Sequence, residues 1–269
     1  MWGVVPAAGR GSRIQPLAFS KELLPVGSRT DNGLARPCAV AEYLVERLIL
    51  GGADKICFVI SPGKSDILEY FGDSYGRAQL AYVVQPHALG LCDAVFRART
   101  VVGSQEDILV GLPDTVWFPS AALGSLPEVA LSFLLFPVEH PEHFDAVVLD
   151  GEQVKEIQVK QANASSNWIW GAFKMSASGF RDLLLLWEQR GRQDEYFGTL
   201  VNSYLAAGGY GVGVKAGSSY VDVGTIDGYR TAIALLAATS EKDSKRFTLL
   251  AASGADTASI ANSDRGGVS

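Results

Sequence analysis

Trp2-Gly-Val-Val-Pro6 runs into Ala7-Ala-Gly-Arg-Gly-Ser-Arg-Ile-Gln-Pro16, and Lys21-Glu-Leu-Leu-Pro25 follows closely. The apolar run from Trp2 to Val5 reads as a buried strand of a parallel sheet, because both of its faces are hydrophobic. It breaks abruptly into glycine. Gly9 and Gly11 have no Cβ, so the loop can turn sharply and let a polyanion approach its backbone N–H groups. Arg13 and Lys21 add positive charge, the arginine as a planar fork for phosphate oxygens and the lysine as a compact point charge. Such a set suits a nucleoside triphosphate.

Two other glycine motifs do not fit this stretch. A dinucleotide fingerprint needs a third glycine where Ile14 stands, and a Walker A loop needs Gly-Lys-Ser/Thr, which does not follow these glycines.

Composition narrows the field. At 269 residues, with 48% hydrophobic and 19% charged residues, the chain is sized for one large domain or two intimate ones with a substantial core. A net charge of −6 argues against a nucleic-acid or anionic-membrane surface. Val129 to Val138, the longest apolar run, is too short to span a bilayer, and the start of the chain has no signal-peptide pattern. A cytoplasmic protein is expected. Cys38, Cys57 and Cys92 are widely spaced and odd in number, which speaks against a zinc site or a disulfide framework.

Along the chain, Gly27 to Arg36 is polar and turn-rich and reads as a surface excursion. Ala39 to Leu50 has helical spacing and stops at Gly51-Gly52. Lys55 to Ile60, Leu80 to Val84 and Ile108 to Val110 read as strands, with helices expected over Asp66 to Phe71 and Leu91 to Val101. This alternation predicts a parallel sheet of α/β type. Ligands in such sheets bind beyond the carboxyl ends of the strands. Gln85-Pro-His-Ala-Leu-Gly90 and Gly111-Leu-Pro-Asp114 occupy two such ends. Further on, Val129 to Val138, Ala146 to Leu149 and Val154 to Val159 read as strands, the last two about an Asp150-Gly151 turn. His140 and His143 lack a matching third ligand and read as a solvated loop. Asn167 to Met175 reads as another strand, with Trp168 or Trp170 in the core, and Glu195-Tyr196 opens a helix. Thr225 to Ala238 is helical in pattern, and Ala251 to Ser269 has no apolar periodicity.

Gly9-Arg-Gly-Ser-Arg13 with Lys21-Glu-Leu-Leu-Pro25 resembles the signature of the sugar-1-phosphate nucleotidyltransferases, especially the glucose-1-phosphate thymidylyl- and uridylyltransferases. The resemblance covers roughly Trp2 to Ala238. It implies a Rossmann-like α/β fold with a mostly parallel central sheet, helices on both faces and a smaller β-rich acceptor-binding portion. The division would be a nucleotide-binding part at about 1–115 and an acceptor-binding part at about 116–240, with a loosely ordered tail at 241–269.

The implied reaction transfers a nucleoside monophosphate from dTTP or UTP to a sugar 1-phosphate and releases pyrophosphate. By the same resemblance, Ala8, Gly9, Gly11, Ser12, Arg13, Gln85 and Gly90 would bind the nucleotide, with Arg13 and Lys21 acting on its phosphates. Lys160, Gly171 and Glu195 would bind the acceptor, and Asp114 and Asp222 would hold Mg2+. Val159 replaces an acidic residue expected beside Lys160, and Asp145 stands where the pattern has glycine. These departures leave room for a non-sugar phosphate such as phosphocholine; a non-catalytic nucleotide-sugar binding or regulatory module is a further alternative, against which the intact charged set of Arg13, Lys21, Asp114, Lys160 and Asp222 argues. A metal-dependent glycosyltransferase fits less well, since Asp114-Thr-Val116 lacks an Asp-x-Asp arrangement. The expected partners are small molecules, with no nucleic acid and no membrane. Relatives are often oligomeric, so self-association stays open.

Overall fold

A computed structural model describes residues 1–238, so the tail expected at 241–269 lies outside the described residues. In chain order the first half comprises β1 (Trp2–Pro6), β2 (Pro25–Asp31), β3 (Leu34–Ala39), α1 (Val40–Leu50), β4 (Lys55–Ile60), α2 (Ser65–Phe71), β5 (Ser74–Tyr75), β6 (Ala78–Val84), α3 (Gly90–Arg97) and β7 (Ile108–Gly111). The second half adds β8 (Thr115–Phe118), β9 (Leu131–Pro137), β10 (Asp145–Asp150), β11 (Gln153–Val159), β12 (Trp168–Met175), α4 (Ala177–Gln189), α5 (Phe197–Ala206), β13 (Val212–Val214) and β14 (Ser219–Asp222). A last helix, α6, occupies 226–238.

Ten strands form one sheet in the order β10-β11-β13-β9-β12-β7-β1-β4-β6-β5. The block β7-β1-β4-β6 is parallel throughout, as the alternation of strands and helices requires. Beyond β7 the sheet becomes mixed, because β12 runs antiparallel to both β7 and β9, and β10 and β11 make a hairpin. The parallel half therefore corresponds to the glycine loop and the mixed half to the later segments.

Adjacent residues of β1 face opposite layers. Val4 belongs to the core cluster that holds Phe96, Phe180 and Phe197 of α3, α4 and α5, while Val5 belongs to the one that holds Leu44, Leu48 and Phe71 of α1 and α2. Burial on both sides explains why β1 is apolar at successive positions. A smaller cluster joins Ile14, Leu24, Val26, Val116, Val223 and Ala232, tying the glycine loop to β8 and α6. The three cysteines are free and buried. Burial pushes the Cys38 and Cys57 thiols up to about 12, which removes them from thiolate chemistry near neutrality.

Several expectations need adjustment. The 27–36 stretch lies at the surface as expected, and it is built as an ordered β2–β3 hairpin. Its turn is Asn32-Gly33, with φ of 50° and 79°, the left-handed pair that a two-residue hairpin turn demands. Arg29 on this hairpin pairs with Oε2 of the buried Glu42 of α1, which also accepts from the Tyr75 hydroxyl, while Oε1 accepts from Ala39 N and the Tyr70 hydroxyl. The helix expected through Val101 ends at Arg97 and continues as a 3-10 turn to Thr100. Helix α4, with an apolar face formed by Phe180, Leu183 and Trp187, was not anticipated.

Candidate active site

The glycine loop leaves the sheet just after β1, where Ala7 N still donates to Val59 O at 2.8 Å. Gly11 has φ +65°, and a Cβ there would lie 2.7 Å from Lys21 Cδ. Glycine at this position thus meets two demands, a left-handed backbone and close passage of the lysine stem. Ile14 and Gln15 both donate to Gly11 O, at 3.0 and 3.2 Å, and the buried Ile14 plugs the loop into the small cluster beneath it. Among the described residues, the N–H groups of positions 8 to 13 donate to no protein acceptor. Consecutive unengaged N–H groups on a glycine turn form a concavity for an anion. Ala8 is buried, while Gly9, Ser12 and Arg13 are exposed.

Lys21 opens a 3-10 turn held from two sides. Asp66 accepts from Ser20 N at 2.6 Å and from Ser20 Oγ at 2.7 Å. Next to Lys21, Glu22 is 1% exposed and takes both oxygens to Lys64 Nζ at 2.7 Å. The same ammonium donates to Ala7 O at 2.7 Å, so one buried lysine links the end of β1 to the Lys21 turn. Burial raises the Glu22 carboxyl against the pull of Lys64. Gly63-Lys64-Ser65 carries the closing letters of a Walker A loop, but Phe58 stands where its first glycine is needed and its lysine is committed inside the protein. Lys64 and Asp66 were not foreseen as part of the site, since charged residues at a helix start are common on any surface.

The two aspartates meet through a separate ladder. Antiparallel β8 and β14 place Asp222 opposite Thr115, and Val223 N donates to Asp114 O at 2.8 Å. Asp222 Oδ1 accepts from Gly224 N at 2.7 Å, which fixes one oxygen. Lys21 Nζ pairs with Asp114, each side chain 13% exposed, and Arg13 Nη1 lies 2.9 Å from Asp222 Oδ2. Burial alone would lower the Lys21 pKa, but Asp114 outweighs it and the pKa is raised; Lys21 in turn holds Asp114 below its usual range. Both groups are therefore ionised at neutral pH.

A Cβ at Gly224 would stand 2.8 Å from Asp222 Oδ1, 3.2 Å from Arg13 Nη2 and 3.3 Å from Asp114 Oδ2. Two carboxylates and a guanidinium thus converge on one point that a larger residue would fill. Hard oxygen donors in this number suit magnesium, which binds one or two carboxylates and takes phosphate oxygens and water for the rest. Among the described residues no cluster of three or more His, Cys, Asp or Glu side chains could hold a metal, which leaves His140 and His143 as rim residues.

Gln85 is 3% exposed, and its amide nitrogen donates to Asp93 Oδ2 at 2.7 Å and Gly90 O at 3.2 Å. Because a carboxylate only accepts, Asp93 fixes which way the amide points. Gly90 has φ +88°, and a Cβ there would strike Glu195 O at 2.5 Å. Leu91 N donates to the same carbonyl at 2.9 Å, so Glu195 is joined to the start of α3 through its backbone.

A cleft of about 1200 Å³ runs from Arg13, Asp114 and Asp222 to Asp145, Lys160 and Trp170. It is wide enough for more than one small molecule. Lys160 lies at the end of β11 with φ +47°, an unusual backbone for a residue other than glycine, and its ammonium sits 4.7 Å from the centre of the Tyr196 ring. Two expected acceptor residues are displaced from this cleft. Gly171 is buried behind Phe136 and Tyr220, each of which would lie 2.6 Å from a Cβ there, so its smallness serves aromatic packing. Glu195 is exposed and outside the cleft lining; its neighbour Tyr196 takes the place facing Lys160. Trp170 is buried while Trp168 is partly exposed, so one tryptophan does belong to the core.

The nucleotidyl transferase family profile matches residues 2–239. The chain belongs to that family. Similar proteins include the UTP–glucose-1-phosphate uridylyltransferase of Mycoplasma pneumoniae, 27% identical over 61% of this chain and 59% of that protein. Another is the low-salt glycan biosynthesis nucleotidyltransferase Agl11 of Haloferax volcanii, 29% identical over 56% of this chain and 42% of that one. The chain spans about half the length of the curated relatives it matches. Among solved structures, a UTP-bound UGPase from Acinetobacter baumannii superposes with a TM-score of 0.71 at 22% identity, covering 93% of this chain and 98% of that one. At that identity the likeness is one of fold. No helix among the described residues is long and apolar enough to cross a membrane.

Proposed function

We propose that this nucleotidyl transferase joins a nucleoside monophosphate from UTP or dTTP to a sugar 1-phosphate and releases pyrophosphate. The observation that carries the reading is the convergence of Arg13, Lys21, Asp114 and Asp222 beside a glycine turn with unengaged N–H groups. An acceptor phosphate is already an anion, so attack on the α-phosphorus needs no general base. It needs two anions held in line with their repulsion suppressed.

In this reading Ala8, Gly9, Gly11 and Ser12 present backbone groups to the triphosphate, and Arg13 holds the departing pyrophosphate. Lys21 moves its charge from Asp114 toward the reacting phosphate. Lys160 holds the acceptor phosphate. Asp114 and Asp222 would hold magnesium, which when bound supplies further charge neutralisation at the phosphate oxygens. Gln85, 3% exposed and outside the cleft lining, spends its nitrogen on Asp93 and Gly90, so in this reading its oxygen is the atom it would offer a base. The N3–H of uracil or thymine is a donor to that oxygen, whereas N3 of cytosine is not. Residues about 1–115 then form the nucleotide-binding part and about 116–240 the acceptor-binding part.

The test is pyrophosphate release with magnesium, four nucleoside triphosphates and a panel of sugar 1-phosphates and phosphocholine. Release that requires both substrates and favours UTP or dTTP supports the reading. Nucleotide binding without release from any pair would replace it with a non-catalytic module.

A further inference from the structure

Asp145 is the charged group that the proposed reaction leaves unused. It begins β10, half-buried on the cleft wall, and its Cα partner in the antiparallel ladder is Val159, the residue before Lys160. Among the described residues its carboxylate has neither an ion pair nor a fully formed hydrogen bond. The indole N–H of Trp170 is buried and also lacks a well-formed hydrogen bond, yet it stands near enough to favour the ionised carboxylate. A half-buried carboxylate without a partner is costly unless a ligand completes it. Nothing in the packing requires an acid here, because the facing positions in β11 and α5 are Val159 and Gly198.

We infer that Asp145 determines acceptor specificity by accepting hydrogen bonds from hydroxyls of a hexose whose phosphate is held by Lys160. The inference rests on the proposed nucleotidyl transfer for the identity of the cleft. Asp145 and Lys160 line the same cleft, and Lys160 is near enough to favour the ionised carboxylate. A phosphate at one and hydroxyls at the other therefore match the two ends of a single sugar 1-phosphate. A quaternary ammonium could also approach a carboxylate among aromatic rings. It would, however, meet Lys160, which already faces Tyr196 with its own positive charge. Hydroxyls both donate and accept. A sugar therefore suits this wall better than choline.

Equilibrium binding to the full chain tests the inference independently of turnover. UDP-glucose and dTDP-glucose are titrated beside UDP and dTDP into the wild type, Asp145→Asn and Asp145→Ala, with circular dichroism to confirm folding. The wild type is expected to bind one nucleotide-sugar more tightly than its nucleotide. Asp145→Asn should reduce that advantage about tenfold, the value of a hydrogen bond to a charged group, without moving the nucleotide's own affinity. An advantage that survives both substitutions overturns the inference, as does a wild type that shows none. Tighter binding of CDP-choline than of CDP, lost in Asp145→Asn, would assign the carboxylate to a cation and also overturn it. Turnover separates this inference from the reaction. Pyrophosphate release whose acceptor KM ignores Asp145→Asn leaves transfer standing without the specificity role. Carboxylate-dependent sugar binding without pyrophosphate release does the reverse.

Discussion

At the proposed nucleotide end of the cleft, charges come in pairs: Lys21 with Asp114, Arg13 with Asp222, and, beneath them, Lys64 with Glu22. At the proposed acceptor end, Lys160 is exposed over a tyrosine ring and Asp145 has no ion-pair partner among the described residues. The first arrangement suits a group that does not change from turnover to turnover, since preorganised charge avoids reorganisation when phosphate charge shifts. The second leaves polar groups whose satisfaction depends on which acceptor arrives. Substitutions at the two ends should therefore separate, with effects on stability and turnover at one and on acceptor affinity at the other.

The largest effect is expected inside the first region. Lys64→Met leaves Glu22 buried without its partner and frees the end of β1, which should cost about 3–5 kcal/mol, read as a lower denaturation midpoint at pH 7. A change below 1 kcal/mol would show that the paired end is not held as described. Next, Lys21→Ala should lower kcat about 10²–10³-fold, the scale for losing one preorganised group at a reacting centre, with much less change in nucleotide affinity. Equal turnover in the variant and the wild type would remove Lys21 from the chemistry.

Effects at the other end should be smaller. Lys160→Ala is expected to raise the acceptor KM about tenfold with the triphosphate KM unchanged, in line with loss of one charge-assisted contact. Movement of both constants together would erase the distinction between the ends.

The smallest effect has a sign of its own. Burial, against the pull of Lys160, pushes the Asp145 carboxyl up to about 6. A folded-state pKa above the unfolded value of 3.8 means that the folded state is favoured most at low pH, and that this advantage is lost as pH rises through about 6. Asp145→Asn should therefore stabilise the protein at pH 7 by about 1 kcal/mol, less than a full desolvation penalty because the group is partly exposed, and the gain should fade toward pH 4. A stabilising substitution that weakens sugar binding is the pattern expected of a residue kept for function. Destabilisation at pH 7 would instead make Asp145 structural.

The nucleotide end was the more legible in sequence because its chemistry is local. Gly9, Gly11, Arg13 and Lys21 are close in the chain, and a strand breaking into glycine announces where they sit. Asp114 was visible as a carboxylate after a buried strand, but its meeting with Asp222 depends on the β8–β14 ladder, which only the fold supplies. Asn32-Gly33 is a hairpin signal, but the polar strands on either side of it hide the usual alternation. Gly171 and Glu195 fell outside the cleft for a different reason. In an antiparallel region, a neighbouring rung or aromatic ring decides which residue faces the ligand. Tyr196 and Asp145 could be found only once β11, β12 and α5 were assembled.

Attack by the acceptor on the α-phosphorus can be followed atom by atom. Glucose 1-phosphate carrying ¹⁸O in its non-bridging phosphate oxygens would be turned over with UTP, or with dTTP, and magnesium, and both products read by mass spectrometry. The label should remain entirely with the nucleotide-sugar, and the released pyrophosphate should carry none. Labelled inorganic phosphate or labelled pyrophosphate, or nucleotide cleavage that ignores the sugar phosphate, would contradict nucleotidyl transfer at this site.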